Sequence, residues 1–231
     1  MSRGFLPRFL TWTGLALTLT YPLTPHATNN IDDYCFKITP QVTIGMEKTS
    51  ATPESFMKGK PKIKASINGT YYGQDLKPQG MTYIAENHHL ATERPEDIRG
   101  YFSVDKTGRS INVGERLPGK ISDYYFIIGT HPLLVANQTV DKQANEPRCR
   151  GRLAYRSALG TKIDDVCFAV SEDQITINEW AKRLQAAGYR GAINLDGGPV
   201  SQLAVRNTNG IVEVKGKGNA QTKLVIFSYE K

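Results

Sequence analysis

The chain has 231 residues, 39% of them hydrophobic, which suffices for one sizeable core and falls short of two independent ones. Its 29 Lys and Arg against 22 Asp and Glu give a mild net charge of +7, spread along the chain, which argues against nucleic acid and for anionic substrates or envelope polymers. No repeat or low-complexity tract is present, so solenoid architectures are excluded as well.

Residues 1–27 read as a secretory signal. Arg3 and Arg8 precede an apolar stretch from Phe9 to Leu23, and Pro25-His26-Ala27 ends in a small residue suited to cleavage. An uncleaved anchor is the competing reading, but this stretch holds four threonines and a proline and is shorter than the roughly 20 residues a spanning helix needs. Cleavage leaves a mature chain, 28–231, with a net charge near +5, secreted or periplasmic and without stable membrane insertion. Three cysteines, Cys35, Cys149 and Cys167, then enter an oxidising compartment, where one disulfide forms and one thiol is left over. Their spacing selects none of the three pairings and matches no zinc site.

Short apolar runs alternating with turn signals predict strands over Tyr34–Ile38, Ile63–Ile67, Met81–Ala85, Tyr101–Val104, Tyr124–Ile128 and Leu133–Val135. Lys58, Lys60, Lys62 and Lys64 mark a solvated strand face, and the polar stretch from Glu86 to Gly100 reads as a connection. Leu153–Leu159 and Val166–Val170 form a hairpin around a turn at Lys162–Asp165. One clear helix follows: Thr176 and Glu179 make a capping box, Ile177, Trp180, Ala181, Leu184 and Ala187 share a face, and Gly188 stops it. A buried strand, Ala192–Leu195, comes next, and strands near Ile211–Val214 and Leu224–Tyr229 close the chain. The fold class expected is α+β, a strand-rich single domain with a mixed sheet and few helices.

The order helix, strand, then Asn194-Leu195-Asp196-Gly197-Gly198-Pro199-Val200-Ser201-Gln202-Leu203 puts a carboxylate and two glycines at a strand end, where backbone N–H groups can approach a ligand. A tight turn capped by Asp196 is the plainer reading. This segment resembles the signature of the phosphodiester glycosidase family, whose bacterial members are associated with exopolysaccharides, and whose pattern is Asn-Leu-Asp-Gly-Gly-Gly-Ser-Ser. Pro199 and Val200 depart from that pattern, removing an N–H and a hydroxyl. Upstream, Ala65-Ser66-Ile67-Asn68-Gly69-Thr70-Tyr71-Tyr72 with Pro78, Gly80 and Met81, then Ile128-Gly129-Thr130-His131-Pro132-Leu133-Leu134, then Arg156-Ser157-Ala158-Leu159-Gly160, resemble further family motifs in family order.

The resemblance implies catalytic roles for Asp196, Arg156 and Asn68, with Asn194, Gly197, Gly198, Ser201, Gln202, Gly69, Tyr71, Tyr72 and His131 around a carbohydrate or sugar-phosphate substrate. Each residue also carries its own chemistry. Asn68 can donate and accept toward a sugar hydroxyl or acetamido group, or simply form a turn with Gly69. Tyr71 and Tyr72 offer ring faces to a sugar or belong to the core. Arg156 interrupts an apolar strand, and its fork suits a phosphate or an internal salt bridge to Asp196. His131 beside Pro132 could assist proton transfer or be structural.

Ordinary glycosidases need two carboxylates, one of them to protonate a poor leaving group. A departing phosphate monoester is already a stable anion, so a single acid is enough when the bond cut joins an anomeric carbon to phosphate. A general glycosidase would instead require a second acid, such as Glu146 or Asp75, across the site at about 5 to 9.5 Å, and a non-catalytic glycan-binding module would keep the site without turnover. No cofactor is specified; oxygen ligands near Asp196 leave room for calcium or magnesium, but no ligand spacing selects either.

Overall fold

The computed structural model describes residues 31–72, 79–85 and 98–231. The secretory signal, Pro78, Asp75 and most of the 86–100 connection lie outside them. In chain order the first half holds β1 (Ile31–Phe36), β2 (Val42–Ala51), α1 (Pro53–Met57), β3 (Ile63–Asn68), β4 (Met81–Ile84), β5 (Gly100–Asp105), β6 (Ile111–Gly114), β7 (Tyr124–Thr130), β8 (Leu133–Ala136) and β9 (Thr139–Val140). The second half holds β10 (Ser157–Lys162), β11 (Asp165–Ser171), α2 (Ile177–Ala186), β12 (Gly191–Asn194), β13 (Leu203–Arg206), β14 (Val212–Lys215) and β15 (Thr222–Glu230).

These strands make three sheets with orders β1-β11-β10-β12-β8-β9, β14-β13-β3-β15-β2 and β4-β7-β5-β6. The strand-rich domain with few helices is as expected. The mixed sheet is not: every ladder among the described strands is antiparallel. The reason lies in α2, which carries the chain from β11 past β10 to β12. Those two strands run the same way but are never neighbours, because β10 separates them.

Inward-facing side chains of all three sheets meet in one core, with Ile44, Ile67 and Ile226 from the second sheet, Phe102 and Phe126 from the third, and Phe168 and Ile193 from the first. Such alternation is the pattern a half-buried antiparallel sheet imposes. Helix α2 covers the outer face of the first sheet through Trp180, Ala181 and Leu184, all fully buried. Thr176 caps it by accepting from Glu179 N at 3.1 Å, but the Glu179 carboxylate pairs with Arg183 at 3.3 Å instead of closing the capping box. Helix α1 covers the second sheet in the same way with Phe56 and Met57.

The expected strand from Leu153 begins only at Ser157, because the Arg156 side chain turns back onto backbone carbonyls that a straight strand could not offer it. Cys35 and Cys167, directly opposite in β1 and β11, form the disulfide, and Cys149 is the buried free thiol. Among the described residues no helix is long and apolar enough to cross a membrane.

Candidate active site

The site forms where the first and second sheets end side by side. Strand β3 finishes at Asn68, opposite Val225 of β15, and β12 finishes at Asn194, opposite Ala158 of β10. The segment leaving β12 is then stitched across both sheets: Leu195 N donates to Ser157 O at 3.0 Å, Asp196 N to Gly69 O at 2.9 Å, and Gly198 N to Tyr155 O at 2.8 Å. Gly198 has φ +70, a conformation a side chain would strain, so the turn places its carboxylate by backbone geometry.

Asn68 is the knot of this arrangement. Its Nδ2 donates to Asp196 O at 2.8 Å, while its Oδ1 accepts from Ser157 Oγ at 2.8 Å and from Gln202 N at 3.3 Å. The residue is fully buried, so the amide is engaged with protein rather than presented to a sugar. Gln202 is engaged likewise: its Oε1 accepts from Glu54 N at 3.1 Å and its Nε2 donates to Gly218 O at 2.9 Å. Both hold the Asp196 turn in place.

The Asp196 carboxylate is partly buried and accepts from Gly197 N at 2.8 Å. Loss of solvent raises its carboxyl to about 6, against the opposing pull of that N–H and of the Arg152 guanidinium. Arg152 escaped sequence reading; it is exposed, and its charge favours the Asp196 carboxylate.

Arg156 is only 6% exposed and makes no salt bridge to Asp196 or to any other carboxylate of the described residues. Instead Nε donates to Ile175 O at 3.0 Å and Nη2 to Arg152 O at 2.6 Å. Two neutral carbonyls leave its charge uncompensated, and burial pulls the guanidinium down from its usual range. Its Nη1 lies against the turn, 3.7 Å from where a side chain on Gly197 would begin.

Several residues of these segments carry buried polar atoms without a hydrogen-bond partner among the described residues. Asn194 contacts the Tyr71 hydroxyl through Nδ2, while its buried Oδ1 has no hydrogen-bond partner. Nor do the buried hydroxyls of Thr70, Tyr72 and Ser201. Buried polar atoms without partners are rare in folded proteins and call for an explanation, of which a polar ligand is one. Burial and the Asp196 charge hold the Tyr71 and Tyr72 phenols above their usual range, so both stay neutral donors. The Tyr72 ring also packs against the main core, so it serves both readings made from sequence. His131 sits half-buried at the β7–β8 turn, where the following Pro132 O accepts from Asn194 N at 3.1 Å.

Glu146 is committed to Arg99 at 3.1 Å and Arg148 at 2.7 Å. Among the described residues no cluster of three His, Cys, Asp or Glu side chains gathers.

The family model of the phosphodiester glycosidases matches residues 61–226, a span that contains every site residue just described. The chain belongs to the phosphodiester glycosidase family. Among solved structures, the catalytic domain of zebrafish N-acetylglucosamine-1-phosphodiester alpha-N-acetylglucosaminidase, auto-inhibited by its pro-peptide, is similar with a TM-score of 0.62 at 15% identity, over 91% of this chain and 86% of that one. A hypothetical protein from Synechocystis is similar with a TM-score of 0.61 at 14% identity, over 88% of this chain and 57% of that one. At such identities the likeness is one of fold. No curated protein matches the sequence.

Within this phosphodiester glycosidase, the family-type motifs converge: the Asn68 strand end, the His131-Pro132 turn, the Arg156 segment and the Asp196 turn all meet at one edge. Pro199, which departs from the family pattern, still sits in a regular turn, its carbonyl accepting from Asn219 N at 2.8 Å and Ala220 N at 2.9 Å.

Proposed function

We propose that this glycosidase, exported by its signal and then cleaved from it, hydrolyses the bond between a sugar anomeric carbon and the phosphate of a sugar-1-phosphodiester, carried on a glycan or an envelope polysaccharide. The observation that carries the reading is a buried guanidinium with no acid partner among the described residues, its Nη1 lying against the turn that carries the part-buried Asp196. Arg156 Nη1 and the exposed Arg152 guanidinium bind the phosphate, charged N–H donors and an anion being well matched. Asn194 Oδ1, the Tyr72 hydroxyl and Ser201 Oγ meet the sugar hydroxyls.

The C1–O bond breaks with its electron pair leaving on the phosphate monoester, which needs little protonation because its second pKa is about 6. Asp196, as a carboxylate, faces the oxocarbenium-like carbon and stabilises, attacks or directs water to it; the water supplies hydroxide to C1 and releases a proton. Asn68, Gly69 and Gln202 act on the reaction through the turn they hold, as positioning residues.

The test is release of free N-acetylglucosamine and UDP from UDP-N-acetylglucosamine, or of free sugar and a phosphomonoester from a simpler sugar-1-phosphodiester, with Asp196→Asn as control. Products from the wild type and none from the variant support the reading. Binding of these compounds with no product release identifies a glycan-binding module instead.

A further inference from the structure

A second cleft of about 800 Å³ opens between the edge strand β2 with the end of β15 and the β5–β6 turn. It is remote from Asp196. Tyr229, in its wall, lies opposite Ile63 at the start of β3, whereas Asn68 is five residues on at the other end, roughly 16 Å away at about 3.3 Å per residue. Tyr125, also in the wall, likewise sits at the start of β7, and Thr130 at its far end adjoins the active site.

Charge and shape in this cleft point one way. Lys106 and Arg109 project from a turn held by the Asp105 carboxylate, which accepts from Thr107 Oγ1 at 2.9 Å, Arg109 N at 3.0 Å and Ser110 N at 3.3 Å. Both cations are exposed and neither makes an ion pair among the described residues. Glu47, the acid in the wall, is turned to Lys60 at 3.2 Å. Beside these cations stand the part-exposed rings of Tyr125, Phe227 and Tyr229; Phe227 and Tyr229 are 5.6 Å apart at 51°, and the Tyr125 hydroxyl is fixed on Thr43 Oγ1 at 2.8 Å. Gly45 lets the Phe227 ring lie close over β2, since a Cβ there would be 2.8 Å from it. Aromatic faces pack on the C–H faces of sugars, and rigidly mounted cations pair with carboxylate or phosphate.

We infer that this cleft is an accessory binding site for an acidic oligosaccharide, its rings receiving sugar faces while Lys106 and Arg109 receive the anionic groups. Only the identity of that glycan with the substrate polymer rests on the proposed function; the binding itself does not.

Calorimetric titration of the purified chain with a galacturonic acid oligosaccharide, a neutral galactose oligosaccharide and polyglutamate tests it, using wild type, Asp196→Asn and the double variant Lys106→Ala/Arg109→Ala. The acidic oligosaccharide should bind wild type and Asp196→Asn alike, and the double variant about tenfold more weakly at low salt, with melting temperature unchanged. The neutral sugar and polyglutamate should bind at least about tenfold more weakly than the acidic oligosaccharide, one lacking charge and the other ring-packing faces. No binding of the acidic oligosaccharide, equal binding by the double variant, loss in Asp196→Asn, or equal binding of either control overturns the inference. Failure of the proposed function has a different mark, since it removes turnover and leaves these titrations as they are.

Discussion

At the residue scale the Asp196 carboxyl links the proposed activity to stability. With its folded pKa raised to about 6 and its unfolded value near about 3.9, Asp196 is a group that folding disfavours in charged form. The penalty is absent below pH 4 or so, grows as pH rises through that window, and is complete above about 6. Asp196→Asn should therefore stabilise the protein by ~1–2 kcal/mol at pH 8, allowing for partial solvent screening, and by nothing near pH 3.5; chemical denaturation at the two pH values measures this. Activity that needs the carboxylate should rise through pH 6 and level off. Since Arg152 lowers the Asp196 pKa, Arg152→Ala should move that limb upward, an effect a purely structural arginine would not produce. Arg156→Lys, which keeps the charge and loses the Nη1 donor, should lower kcat/KM about 100-fold on a phosphodiester while sparing a neutral glycoside. Equal losses on both would contradict phosphate binding.

Arg156 was legible because it breaks an apolar stretch, and Asp196 because it stands with two glycines directly after an apolar strand. Arg152 left no such mark: it sits in a loop with Arg148 and Arg150, where a charge breaks no pattern. Asn68 was legible as a residue but not in its role, since an amide that could contact a sugar and an amide consumed by Asp196 O, Ser157 Oγ and Gln202 N read the same until the strands are placed. Asn68→Ala should cost about 2–4 kcal/mol, through the groups left unpaired, and abolish turnover by releasing the Asp196 turn.

At the scale of elements, β3, which alternates in sequence, and β11, a continuous apolar run, were readable, and β2 was not. Its Gly45, Glu47 and Lys48 interrupt the period because β2 is an edge strand, where charges are tolerated and Gly45 makes room for the Phe227 ring. Helix α1 is only five residues long and carries too little periodicity to be seen. Some motif residues prove architectural. Gly160 of β10 would, with a Cβ, come within 2.4 Å of Gly191 O and 2.8 Å of the Tyr189 ring. Gly160→Ala should thus destabilise by about 2–4 kcal/mol, read by thermal denaturation, through a clash with backbone that cannot yield.

For the whole molecule, three antiparallel sheets share one core, and the site lies where two of them end. That arrangement ties the geometry of the candidate site to the registration of sheets rather than to any single loop. The Cys35–Cys167 bridge closes a loop of 132 residues between β1 and β11, outside the site. Its reduction should lower stability by about 2–5 kcal/mol while leaving the pH profile of turnover in place, because neither cysteine touches Asp196, Arg152 or Arg156.

The central claim is that the bond broken is carbon to oxygen and not phosphorus to oxygen. Turnover of a sugar-1-phosphodiester in heavy-oxygen water, with mass analysis of the phosphomonoester released, reads this directly. Attack at the anomeric carbon predicts a phosphomonoester free of heavy oxygen; one heavy atom in that phosphate would mean attack at phosphorus and contradict the role given to Asp196.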